Sequence, residues 1–196
     1  MADLPRAQVY VALLRGVNVG GNTLSMERLR GICAELGLEN ARTYVQSGNL
    51  VFDAAGSAER WSKSLEQALA GKARLPITVL VRSRAEMAAL VERNPFAGET
   101  GIDLSRLHVT FLRQAPKRAA LTALNAIDAG PDRLSHAGRE IYLHCPNGYG
   151  RSKLANNAIE RVLGVAATTR NWRTVTTLAE MAATGPTPKA SPPAQG

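Results

Sequence analysis

From Val9 to Leu14 the chain reads VYVALL, six apolar residues with no polar interruption. A half-exposed strand would alternate, so this run predicts a strand covered on both faces. The spacing then becomes helical. In SMERLRGICAELG, Met26, Leu29, Ile32, Cys33 and Leu36 fall on one face, with Ser25 as N-cap and Gly37 just past the end. ARTYVQ and NLVFD follow as extended segments flanking Ser47-Gly48, a hairpin signal. AERWSKSLEQALAG places Trp61, Leu65, Ala68 and Leu69 at helix spacing and closes at Gly71. PITVLV is the next strand, after which Ser83 and Glu86 form a capping box for a helix carrying Met87, Leu90 and Val91.

The second half repeats this order. RLHVTFL (106–112) is a strand, and the next helix opens at Pro116 and carries Leu121, Leu124 and Ile127. RLSH and EIYLH flank the tight turn Ala137-Gly138. A helix over SKLANNAIERVLG, an extended VAATTR and a last helix from Asn171 to about Ala183 complete the series. Each half therefore fits the split βαβ pattern, and the expected fold is α+β: duplicated ferredoxin-like units with two mainly antiparallel sheets and packed helices. The expected units are 1–98 and 99–183, each with an extra helix after its fourth strand. That helix, or the other half, would cover the second face of VYVALL. Residues 184–196, with four prolines in TGPTPKASPPAQG and no periodicity, are expected to be disordered.

Charge changes the picture more than bulk composition does. The formal net charge is +8 over 196 residues, and Arg133, Arg139, Arg151, Lys153, Arg161, Arg170 and Arg173 crowd one segment against Glu140 and Glu160. Such an excess favours phosphorylated or polyanionic partners, although a positively charged solvated surface gives the same count. No apolar run reaches membrane-spanning length and MADLPRAQ has no secretory core, so a cytoplasmic protein without membrane contact is expected. Cys33 lies on an apolar helix face and Cys145 ends a strand; neither has metal-like neighbours, so no metal and no cofactor are expected.

Residues 16–23 read GVNVGGNT, which matches a phosphate-loop signature except that Asn22 replaces its lysine. Without that charge, and with hairpins demanding antiparallel pairs, nucleotide hydrolysis by this loop is disfavoured. Two readings of the loop stand side by side. Gly16, Gly20 and Gly21 can turn backbone N–H groups toward an anion beside Arg15, or they can simply bend a long connection in which Asn18 and Asn22 cap turns. In a split βαβ unit the first two strands are parallel, so this loop and the hairpin residues Gln46, Ser47 and Asn49 share a sheet edge. In the second half, Arg151, Ser152 and Lys153 are expected to converge with Arg170 and Asn171 on one edge. Ser152 and Asn171 would cap the helices there. His108 and His144 in strands and His136 beside a turn form no nucleophile-base order, and no paired carboxylates stand out.

LLRGVNVGG, YVQSGNLVF, NPF (94–96), YGRSKL and TTRNW, in that order from about Val9 to Ala183, resemble the bacterial family named domain of unknown function 1697. The resemblance implies a duplicated α+β fold of two ferredoxin-like units and implies no activity. Three functional classes remain open: a binder of a small anionic metabolite, a nucleic-acid or polyanion module using the basic second half, and a protein-interaction domain without ligand.

Overall fold

The computed structural model describes residues 7–17, 23–45 and 48–184. The first sheet is built from β1 (Gln8–Leu14), β2 (Glu39–Tyr44), β3 (Asn49–Ala54) and β4 (Val79–Ser83), in the order β2-β3-β1-β4. The second is built from β5 (Leu107–Leu112), β6 (Arg133–Ala137), β7 (Glu140–His144) and β8 (Ala167–Asn171), in the order β6-β7-β5-β8. Every pairing is antiparallel, and both orders are those that a split βαβ unit gives its four strands.

The helices explain why β1 is apolar without alternation. Tyr10, Ala12 and Leu14 pack beneath α1 (Met26–Glu35) and α2 (Ala58–Ala73), against Leu29, Ile32, Trp61 and Leu65. Val11 and Leu13 face the opposite way. They join a central core with Met87 and Leu90 of α3 (Arg84–Glu92), Val109 and Phe111 of β5, and Trp172, Val175 and Leu178 of α6 (Trp172–Thr184). Both expected covers of the second face are thus present: the extra helices and the other half. The outer face of the second sheet packs on α4 (Arg118–Asn125) and α5 (Asn156–Leu163) through Leu124, Ile159 and Leu163. Each large apolar side chain buried this way contributes about 1.5–3 kcal/mol before the entropy of ordering it.

Local signals explain most boundaries. Ser25 caps α1 by accepting the Arg28 N–H, and Gly37 follows the helix at φ 70°. Ser83 and Glu86 form the expected capping box. Three boundaries differ from the expectation. α2 runs past Gly71 to Ala73 and ends on Arg74 in the left-handed region, whose N–H returns to the Leu69 carbonyl. α4 starts at Arg118, so Pro116 lies outside it. α5 starts at Asn156, not beside Ser152. The chain first makes a short 3-10 turn over Tyr149–Arg151, and the Ser152 hydroxyl accepts the Leu154 N–H instead of capping a helix. The last helix ends at Thr184; the remainder of the proline-rich tail lies outside the described residues. Among the described residues, no helix is long and apolar enough to cross a membrane.

Candidate functional site

The strongest polar construction is the seam between the halves. Near one end, Arg82 of β4 is completely enclosed: its Nε–H donates to Glu140 Oε1 (2.8 Å) and its Nη2 to the Leu112 carbonyl (2.7 Å). Burial pulls its pKa down, against the opposing pull of Glu140. Arg139 pairs with Glu86, and Arg113 with Glu66, beside it.

The other corner gathers three of the expected site residues. Alternation in β8 turns Ala167 and Thr169 to the outer face and Thr168 and Arg170 to the inner face, toward the first half. Arg170 Nε–H donates to Asn49 Oδ1 (2.7 Å), Nη1 to Thr168 Oγ1 (2.7 Å) and the Thr169 carbonyl (3.0 Å), and Nη2 to the Leu14 carbonyl (2.8 Å). Asn49 is fully buried and returns an N–H to the Tyr44 carbonyl (3.1 Å). Desolvation lowers the Arg170 pKa to about 10. One residue beyond Leu14, Arg15 clasps Glu160 of α5 with two donors (2.7 and 2.5 Å), and this pairing raises the Arg15 pKa. The C-terminal end of β1 and the end of β8 therefore meet, an orientation that sequence pattern alone does not supply.

Other expected members fall elsewhere. Asn18, Gly20, Gly21, Gln46 and Ser47 lie outside the described residues. Asn171 caps α6 by accepting the Thr174 N–H (2.8 Å). Arg151 and Lys153 do not converge with Arg170. They line a separate cleft of about 260 Å³ with Gly130, Asp132, Asn147 and Gly148, and Lys153 Nζ donates to the Asp128 carbonyl (2.9 Å). The cause is the late start of α5: without a helix at Ser152, the YGRSK segment folds back toward residues 129–132. Tyr149 of that segment points the other way, donating to Thr169 Oγ1 (2.9 Å) and stacking on His108 at 4.7 Å. Burial raises the Tyr149 pKa and lowers that of His108. Sequence reasoning missed the seam residues Arg82, Glu140 and Glu160. An arginine inside the apolar run VLVRS was the one available signal.

These features define an α+β protein of two antiparallel four-stranded sheets with arginine-bridged corners between its halves. The chain belongs to the family described as protein of unknown function (DUF1697), whose model matches residues 7–142. YGRSKL and TTRNW lie beyond that match. Among solved structures it is similar to the conserved bacterial protein SP0830 from Streptococcus pneumoniae, at 21% identity over 90% of this chain and 99% of that one, with a TM-score of 0.75. At that identity the likeness concerns the fold. No curated protein sequence matches the chain.

Proposed function

We propose that the chain binds a small anionic ligand, phosphorylated or carboxylated, at the corner formed by Arg15, Asn49 and Arg170. The observation that carries this reading is the meeting of two guanidiniums at one corner: Arg170, largely desolvated and hydrogen-bonded to Asn49 and to the Leu14 carbonyl, and Arg15, one residue beyond Leu14. A cation held in low dielectric gains more from an anion than an exposed one does, because its solvation has already been given up. Arg15 keeps part of its side chain exposed (40%) while clasping Glu160, so the corner remains reachable from solvent.

Thermal unfolding with a panel of phosphate, nucleotides, sugar phosphates and small carboxylates tests the reading. A ligand at about a hundred times its Kd stabilises by about 2.7 kcal/mol, which at about 2–4 °C per kcal/mol raises Tm by about 5–11 °C. Absence of any stabilising compound refutes it.

A second reading, nucleic-acid or polyanion binding, is favoured by the Arg151–Lys153 cleft. There the guanidinium of Arg106, from the segment just before β5, lies 3.3 Å from where a Cβ on Gly148 would sit, which brings a third cation beside the loop of Arg151 and Lys153. Its mark is a steep fall of log affinity with log salt, at close to one unit of slope per phosphate contact; a flat dependence removes it.

A further inference from the structure

At the end of β1 opposite the Arg15 corner, a cleft of about 300 Å³ opens between Ala7, Gly37, Glu39, Asp53, Arg60 and Trp61. Chain order gathers them: β1, β2 and α2 begin there and β3 ends there. One side of the cleft carries a pair of carboxylates. Glu39 and Asp53 stand directly opposite each other on β2 and β3, a like-charge pairing that by itself is unfavourable. Neither forms an ion pair among the described residues. A bulge between Glu39 and Arg42 sets Asn40 at φ 51°, and its amide donates to Asp53 Oδ2 (2.6 Å). That contact fixes the carboxylate and leaves Oδ1 buried without a partner.

The other side carries donors. Trp61 is 7% exposed and meets Phe52 edge to face, and its indole Nε1–H is buried without an acceptor. Buried polar atoms in native proteins are nearly always satisfied, so two orphans beside one cleft require a cause. Arg60 lies over the indole ring, its Cζ 5.0 Å from the centroid, and has no carboxylate partner among the described residues. Its Nη1 and the Trp61 Nε1 converge beside Gly56, where a Cβ would lie 3.4 Å from one and 3.8 Å from the other. The Arg60 side chain is exposed and held by this stacking, so it can turn off the ring and open a path to the indole N–H.

The cleft thus presents negative charge on one side and a cation with an N–H donor on the other. A simple anion would be repelled by Glu39 and Asp53. A bare metal cation would leave the indole N–H without an acceptor. A molecule that carries both an ammonium and a carboxylate suits all four groups. We propose that the cleft binds a small zwitterion, an α-amino acid, with its ammonium at Asp53 Oδ1 and Glu39 and its carboxylate at Trp61 Nε1 and Arg60. A volume of about 300 Å³ is at the small end for ligand pockets, as a molecule of this size requires. The site is separate from the Arg15 corner and does not depend on it.

Indole N–H resonances of the ¹⁵N-labelled full chain test the proposal, because the chain has two tryptophans and Trp172 lies in the central core. The probes are the common α-amino acids, added one at a time, with the N-acetyl and the amide derivative of each that acts. At least one amino acid should shift the Trp61 resonance, assigned by its loss in Trp61→Phe, and leave that of Trp172 in place. Neither derivative should act, since the first lacks the ammonium and the second the carboxylate. Asp53→Asn keeps an oxygen for Asn40 and removes the charge. It should weaken the apparent affinity about tenfold or more, the scale of one hydrogen bond to a charged group.

No response of Trp61 to any amino acid overturns the proposal. Equal responses to an amino acid and its two derivatives overturn the zwitterion, and this comparison needs only the wild type. Shifts confined to the surroundings of Arg151 or Arg170, or an undiminished affinity in Asp53→Asn, overturn the placement.

Discussion

Replacing Glu140 by Gln is the sharpest probe of how the halves are held together. The change is nearly isosteric and leaves an amide oxygen for the Arg82 Nε–H, so packing is preserved and the charge is removed. The side chains of Arg82 and Glu140 are 1% and 8% exposed, so solvent cannot take over the lost role. Arg82 would keep its carbonyl partners Val81, Leu112 and Arg139, which satisfy its donors without balancing its charge. Breaking a buried pair from one side costs about 3–5 kcal/mol, and the retained oxygen places Glu140→Gln near 3. For a chain of 196 residues, about 2–4 °C per kcal/mol converts this to a Tm lower by roughly 6–12 °C. Because the pair is dry, the loss should be nearly the same at low and high salt. Glu99→Gln, at a pair with Arg133 that is half open to water, should lower the melting temperature far less, and by an amount that shrinks with added salt. Adding Arg82→Met to Glu140→Gln should recover much of the loss, since the stranded cation goes with its partner. A melting temperature for Glu140→Gln within about 2 °C of the wild type, under 1 kcal/mol on the same scale, would refute the reasoning.

Three further outcomes follow from the same coordinates. Burial pushes the Cys33 thiol up to about 12 and raises that of Cys145 as well, so neither should react with a thiol reagent near pH 8 until denaturant opens the chain. Gly48→Ala sets a Cβ at φ 72° and 2.8 Å from Leu14 Cβ, which should lower stability by about 2–3 kcal/mol in urea titrations. For Glu86, burial alone would raise the carboxyl, but the Ser83 N–H and the Arg139 guanidinium outweigh it and hold the carboxyl below its usual range. A depressed carboxylate stabilises the fold above its unfolded value of about 4.3, and the gain disappears as pH falls through the folded value. Glu86→Gln should therefore be less stable than the wild type by about 1 kcal/mol at pH 7, and the two melting curves should converge below pH 4.

The elements were legible because their signals are local. VYVALL announced a doubly covered strand, Ser83 with Glu86 a helix start, and Ala137-Gly138 a hairpin, each decided within a few residues of chain. The α5 boundary was misread because Ser152 has the chemistry of a cap, and only the tertiary pull of Tyr149 onto Thr169 and His108 shows that the chain has not yet turned helical there. The site was half legible for a related reason. Topology placed the β1 and β3 ends on one edge, and that edge does hold Arg15 and Asn49. Arg170, by contrast, was grouped with Arg151 and Lys153 through their nearness at one sheet edge. Alternation along TTRN turns Arg170 through to the opposite face. Which strands would stack on which depends on α3 and α6 filling the layer between the sheets, and no short stretch of sequence encodes that.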